Sequence, residues 1–221
     1  MTIFVILMEK PLILIADDHV IIRRGLRLLI ETHFGKHSIS EVDSLNSLEV
    51  LLKTQPFTHL LLDMQLQDGN ILQMLSQIRE TYPAIRILIY TMSPEEIFGK
   101  RVMQLGANGF LSKNSTEEEV IYAVGLFFNN RNYMSQQLQE IITADHFTKN
   151  NFTNPIKTLS DRETLVLNYL LKGEGLKEIA AKLEIKSNTV ATFKARIFDK
   201  LGVSNLIDLR NLAEMYSYTT S

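Results

Sequence analysis

The run His59-Leu60-Leu61-Leu62 ends on a carboxylate, Asp63, and passes into a polar turn containing Asp68-Gly69. An apolar run this short, bounded by turn residues, reads as a strand buried on both faces. Such strands belong to parallel sheets covered by helices. In open parallel sheets ligands bind just beyond the carboxyl ends of the strands, so Asp63 stands where chemistry is expected.

The pattern recurs. Leu12-Ile13-Leu14-Ile15-Ala16 runs into Asp17 and Asp18, Ile39 to Val42 is a short strand, Arg86-Ile87-Leu88-Ile89-Tyr90 leads into Thr91, and Gly109-Phe110-Leu111 precedes Lys113. Between them lie segments with helical spacing: Val20 to Phe34 with Asp18 as its cap, and a helix through Leu45 and Leu52 capped by Asp43 or Ser44. A third runs from Ile71 to about Pro83, a fourth begins at Ser93-Pro94-Glu95-Glu96, and a fifth opens with a capping box at Ser115-Thr116-Glu117-Glu118. Five strand–helix units in alternation predict a doubly wound five-stranded parallel α/β sheet.

If the strand order is 2-1-3-4-5, Asp17, Asp18, Asp63, Thr91 and Lys113 all stand on one rim. Each has an ordinary alternative reading: an Asp there caps a helix, and a Lys is usually a solvated side chain. Together they point to a phosphoryl site. Three close carboxylates repel unless a cation is present, and hard oxygen ligands suit Mg²⁺. A lysine and a threonine hydroxyl complement phosphoryl oxygens, which leaves Asp63 as a carboxylate nucleophile.

From about Ile142 to Thr158 the chain turns to Asn, Thr, Lys and His and reads as a linker, and beyond it no strand signal returns. Ser160-Asp161-Arg162-Glu163 is a capping box. A short helix over Leu176 to Leu183, a longer one capped by Ser187 and running to about Leu201, and a last one from Val203 to Tyr216 complete an all-α domain of four helices. The second and third form a helix-turn-helix. In the longer helix Val190, Phe193, Ile197 and Leu201 face the core. Asn188, Thr189, Ala191, Thr192, Lys194, Ala195 and Arg196 form or flank the other face, with the size and charge to enter a major groove.

Charge is consistent with two domains of different partners. From Pro155 onward ten Lys+Arg stand against eight Asp+Glu, leaving 13 against 17 in the rest of the chain. The sequence has no cysteine, which excludes disulfides and thiolate metal sites and fits a reducing cytoplasm. The apolar opening Thr2 to Met8 is too short for a membrane span and lacks the basic start of a signal peptide. Met8, just before the first strand, is a candidate translation start beside Met1.

Asp17-Asp18-His19, Asp63, Thr91 and Gly106-Ala107-Asn108-Gly109-Phe110-Leu111-Ser112-Lys113 resemble the receiver domain of two-component response regulators over about Pro11 to Phe128. Leu159-Ser160-Asp161-Arg162-Glu163, Lys177-Glu178-Ile179-Ala180-Ala181-Lys182-Leu183, Thr189-Val190 and Lys200-Leu201-Gly202-Val203 resemble the LuxR-type DNA-binding domain. The pairing is that of the NarL/FixJ family, with a receiver over residues 10–129, a partly helical linker over 130–156 and a helix-turn-helix domain over 157–221.

The resemblance implies that Asp63 accepts phosphate from a sensor histidine kinase. Asp17, Asp18, Asp63 and the main-chain carbonyl of Gln65 would hold Mg²⁺, Lys113 and Thr91 would meet the phosphoryl oxygens, and Phe110 would be an aromatic switch that turns inward when Thr91 moves. It also implies a cytoplasmic homodimer on promoter DNA, with RNA polymerase as a further candidate partner. No enzymatic turnover is implied beyond self-phosphorylation and self-dephosphorylation. Gln67 and Ile71 depart from the family's usual Pro and Gly, and Ala191 from a common Lys. Two alternatives are a DNA-binding regulator with a vestigial receiver and a Mg²⁺-dependent aspartyl-phosphate hydrolase. The hydrolase would want a second carboxylate where Gln65 stands.

Overall fold

The strands form as the alternation predicts: β1 Leu12–Ala16, β2 Ser38–Val42, β3 His59–Leu62, β4 Arg86–Thr91 and β5 Gly109–Ser112. They make one parallel sheet in the order β2-β1-β3-β4-β5. Helices α1 Val20–Phe34, α2 Leu45–Thr54, α3 Ile71–Thr81, α4 Glu95–Gln104 and α5 Glu117–Phe128 alternate with them. The structure, a computed structural model, describes residues 11–66, 68–69, 71–147 and 154–218; Gln67, Met1 and Met8 lie outside them.

Both faces of the sheet are buried through its inner strands, which are apolar at their central positions, whereas the edge strand β2 (Ser38-Ile39-Ser40-Glu41-Val42) buries only Val42. Ile13, Ile15, Leu61, Leu88 and Leu111 pack with Leu26 and Ile30 of α1 and Val120, Val124 and Phe127 of α5. The alternate residues Leu14, Leu60, Leu62, Ile87, Ile89 and Phe110, which point to the other face, are fully buried as well. Each such side chain contributes roughly 1.5–3 kcal/mol of burial.

Helix starts depart from expectation where a strand end competes for the capping group. Asp18 does not cap α1. The N-cap is His19, without a side-chain bond, and the Oδ1 of Asp17 takes the His19 amide at 2.8 Å. At α2, Ser44 accepts from the Ser47 amide, while Asp68 takes the Leu45 and Asn46 amides at 2.7 and 3.0 Å. At α5 the cap is Thr116, accepting from Glu119; Ser115 is held in the turn after β5, its amide bonded to the Ser112 carbonyl at 3.1 Å.

His59 opens β3 with its ring edge-on to Phe127 and Phe128, at centroid distances of 4.9 and 5.4 Å. It is 6% exposed. Burial pushes its pKa from 6.5 down to about 4, the Phe127 backbone opposing and the Arg86 and His37 charges adding to the fall. The folded protein therefore refuses a proton that the unfolded chain takes. Stability is complete above the unfolded value near 6.5 and is lost as pH falls toward about 4; the full loss is about 3 kcal/mol. His59→Leu should remove this dependence. Urea midpoints of wild type and variant should converge on going from pH 5 to pH 7.5, net of any constant packing difference, and parallel curves would refute the assignment.

The chain falls into two compact units, the second comprising Ser93–Gln104 and the chain from Ser135 onward. Within the second unit α6, Gln136–Phe147, continues through residues that composition reads as linker. It is held to α4 by Ser135 Oγ donating to Glu95 at 2.5 Å and Gln137 Nε2 donating to Glu96 at 3.0 Å. Leu138, fully buried, sits where a Cβ on Gly99 would come within 2.8 Å of it.

After a 3₁₀ turn at Pro155–Thr158 come α7 Asp161–Leu171, α8 Leu176–Leu183, α9 Ser187–Leu201 and α10 Leu206–Met215. The capping box at Ser160 and Glu163 is formed. Glu163 also accepts from Lys200 of α9 at 2.7 Å; that lysine, followed by the Ser160 amide and hydroxyl, holds its carboxyl down at about 2. Two boundaries shift. The N-cap of α9 is Lys186, so Ser187 is already helical. The last helix starts at Leu206 under an Asn205 cap, because Gly202 at φ 66° ends α9 and returns the Val203 amide to the Phe198 carbonyl.

Candidate functional site

The parallel register brings the predicted rim residues into place by backbone bonds alone. The Asp63 amide donates to the Ala16 carbonyl at 2.9 Å, the Asp17 amide to Val42 at 3.1 Å, and the Lys113 amide to Thr91 at 2.8 Å. Side chains then meet across the rim. Lys113 Nζ lies 2.6 Å from Asp17 Oδ2 and 2.7 Å from Asp63 Oδ2, and none of the three side chains is more than 5% exposed. Burial alone would lower the Lys113 pKa, but the Asp63 and Asp17 carboxylates outweigh it and raise it.

The one ammonium pairs with two carboxylates, Asp17 and Asp63, and Asp18 stands beside them. Ligand atoms of Asp17, Asp18, His19 and Asp63 all lie within 4.8 Å of one another. Asp18 Oδ1 is buried and makes no hydrogen bond of good geometry, although His19 Nδ1 approaches to 2.6 Å. A set of hard oxygens with uncompensated negative charge and an orphaned acceptor fits a hard divalent cation.

The Gln65 amide donates to Asp63 Oδ1 at 3.2 Å, so this residue meets the site through its N–H. Thr91 closes β4 and Phe110 lies in β5; both are fully buried, Phe110 already in an inward position. Ile71, one of the two departures from the family pattern, is buried in the first turn of α3.

Three contributors escape sequence reasoning. His19 reads as part of a motif yet joins the carboxylate group. Arg23, which helical spacing alone would leave in solvent, donates from Nη1 to the Asp17 carbonyl at 2.5 Å and so holds the end of β1. Asp68 reads as turn punctuation but ties the loop after Asp63 to the start of α2.

In the helical unit, α8 and α9 are joined by a tight turn with Glu184 left-handed at φ 53° and the Ile185 amide bonded back to the Ala180 carbonyl. A left-handed non-glycine residue costs roughly 1–2 kcal/mol, accepted here because it closes the helix and aims α9. Val190, Ile197 and Leu201 are buried as predicted, whereas Phe193 is only half-buried. Asn188, Thr189, Thr192, Ala195 and Arg196 are exposed, and Ala191 and Lys194 are half-buried. Lys194 folds over Phe198, its Nζ 5.2 Å from the ring centroid. Asn188, Thr189, Thr192, Phe193 and Arg196 line a shallow hollow of about 290 Å³.

Comparison with known proteins follows the same division. Residues 13–125 match the family model described as response regulator receiver domain, and residues 157–213 match bacterial regulatory proteins, luxR family. The oxygen regulatory protein NreC of Staphylococcus aureus (strain JH9) is 30% identical over 204 residues, covering 89% of this chain and 94% of NreC. The fimbriae Z protein of Escherichia coli (strain K12) is 27% identical over 209 residues, 95% of this chain and 99% of that protein. A solved structure of two RcsB dimers bound to two parallel DNAs has a TM-score of 0.56 at 22% identity, over 96% of this chain and 100% of that one. That likeness is one of fold.

Proposed function

This chain belongs to the NarL/FixJ family of DNA-binding response regulators, and we propose that its DNA binding is controlled by phosphorylation of Asp63 from a sensor histidine kinase. The observation that carries the proposal is the buried pairing of Lys113 with both Asp17 and Asp63 at 2.6 and 2.7 Å. A lysine so placed positions the Asp63 carboxylate and offers a counter-charge to an incoming phosphoryl group. Residues 10–129 act as the phosphoacceptor domain, 130–156 as the partly helical connection and 157–221 as the DNA-binding domain.

Asp17, Asp18, Asp63 and the Gln65 main-chain carbonyl would hold Mg²⁺, which when bound neutralises the carboxylates and polarises the phosphoryl oxygens. In this reading Asp63 attacks phosphorus, the donor's leaving group departs, and the Thr91 hydroxyl and Lys113 ammonium bind the transferred oxygens. The protein turns over no substrate beyond its own modification. It works in the cytoplasm; among the described residues no helix is long and apolar enough to cross a membrane.

On DNA, Asn188, Thr189, Thr192, Ala195 and Arg196 supply the reading face, with Ala191 and Lys194 at its edge. Binding is as a homodimer, the state RcsB shows in a structure of the same fold, and RNA polymerase is the downstream partner. Arg196→Ala should weaken binding by roughly 1–3 kcal/mol whether the side chain meets a base or a phosphate. A titration of target DNA within twofold of wild type would remove Arg196 from the interface.

The proposal is tested by mapping bound genomic sites with and without a phosphodonor. Phosphorylation should raise occupancy at a defined set of sites. Equal occupancy in both states would favour a vestigial receiver, and no sequence-specific binding in either state would overturn the DNA-binding role.

A further inference from the structure

The edge of the sheet opposite the Asp63 rim carries a second group of ionisable side chains. A hollow of about 530 Å³ opens there, at the amino ends of β1, β3 and β4. Phe34 and His37 close it from the end of α1 and the turn that follows, Phe128 from the end of α5, and Thr58, His59 and Arg86 from the sheet. The rings stand around the space at steep angles. Phe128 is edge-on to Phe34 and to His59, with centroids 5.4 Å apart in both pairs, and lies tilted by 41° against His37 at the same distance.

Charge in this hollow is one-sided. Arg86 gives Nη2 to the Arg131 carbonyl at 2.8 Å and to Asn132 Oδ1 at 3.1 Å. Both partners are neutral, and among the described residues Arg86 joins no ion pair. None of the described residues lining the hollow is acidic. Burial pulls the Arg86 pKa down and the Arg79 charge adds to the fall, with no counter-charge to offset either. His59 is 6% exposed, and its Nε2, with His37 Nδ1 and Arg86 Nε, is buried without a hydrogen bond of good geometry.

We propose that this hollow binds a small aromatic carboxylate, its carboxylate on Arg86 and its ring among Phe34, His37 and Phe128. A guanidinium matches a carboxylate in fork geometry, and the ligand brings the negative charge that the site lacks. Its ring continues the edge-to-face packing already present. An inorganic anion would satisfy Arg86 but leave the rings uncovered. A concave, largely apolar space with few polar groups, in the range of roughly 300–1,000 Å³, is what small-molecule sites have in common. The strands separate this edge from Asp63, so the proposal requires nothing of the phosphorylation reading.

Titration of the full-length chain with benzoate, followed through the imidazole NMR signals of its histidines, tests the site. A Kd below about 2 mM is expected, within reach of a ligand of that size. Acetate has the charge without the ring, and benzyl alcohol the ring without the charge; each should bind at least about tenfold more weakly. Weaker benzoate binding, or either control closer than tenfold, would overturn the proposal. The His37 and His59 signals should move along one saturation curve while that of His19, on the Asp63 rim, stays in place. Unmoved His37 and His59 signals, or an equal response of His19, would also overturn it. Arg86→Gln removes hydrogen bonds to a charged group and should weaken benzoate binding about tenfold or more, and an affinity within threefold of wild type would take Arg86 out of the site. Because Arg86 also holds the Arg131 carbonyl, a variant that fails to fold is uninformative, and the wild-type imidazole pattern then decides.

Discussion

Asp63→Asn will take no phosphoryl group from acetyl phosphate in the presence of Mg²⁺, while the wild-type chain will be labelled. The carboxamide is nearly isosteric, so the buried rim stays filled, but it lacks the anionic oxygen that attacks phosphorus. The neighbouring acids are poor substitutes. Asp17 is committed through Oδ2 to Lys113 and through Oδ1 to the His19 amide, and Asp18 has no contact with Lys113 among the ion pairs of the described residues. Asp63 stands at the end of the central strand β3, with Lys113 on one oxygen and the Gln65 amide on the other. Phosphate-affinity electrophoresis and intact mass reading 80 Da higher (about one phosphoryl group) would report the difference. Equal labelling of Asp63→Asn and wild type would remove Asp63 from the role.

Lys113→Met is expected to destabilise the chain by about 3–5 kcal/mol at low divalent cation, because it strands buried carboxylates that the lysine neutralises. Methionine keeps the length of the stem, so the loss is chiefly electrostatic. The same logic gives the sign of two rescues. Adding millimolar Mg²⁺ should stabilise Lys113→Met more than wild type, since the cation replaces a lost counter-charge. Combining Lys113→Met with Asp63→Asn should cost less than the two changes summed, since one stranded charge is removed with its partner. Urea denaturation of the four proteins, with Mg²⁺ or with chelator, measures both. Strict additivity and equal Mg²⁺ response would show that Lys113 does not balance these carboxylates.

Much of this protein could be read from local pattern. Apolar runs such as Leu12–Ala16 and His59–Leu62 have no stable place except as strands buried on both faces, and the helical periods between them force a covered parallel sheet. Since every strand in such a sheet points the same way, residues at their carboxyl ends share an edge, so the rim of Asp17, Asp63, Thr91 and Lys113 was legible before any coordinate. The second domain was legible for the same reason: the capping box at Ser160 and the apolar face of Val190, Ile197 and Leu201 are short-range patterns.

What only the tertiary structure decided are distances and competitions among groups remote in sequence. That Lys113 chooses Asp17 and Asp63 depends on strand order, which no local pattern contains. Asp68 caps a helix 22 residues earlier, and His59 is held neutral by aromatic rings at the far end of α5. The segment from Ile142 to Phe147 looked like linker because the stretch it opens, as far as Thr158, is rich in Asn, Thr, Lys and His, yet it continues a helix seated on α4 through Leu138 and Gly99. Ser93 reads as a helix start in sequence and Asp208, 115 residues on, as a position inside the last helix; only folding joins them in one buried bond. Sequence periodicity determines which side of an element is buried, because that depends on neighbours three or four residues away. Which partner covers that side is set by the packing of the whole chain.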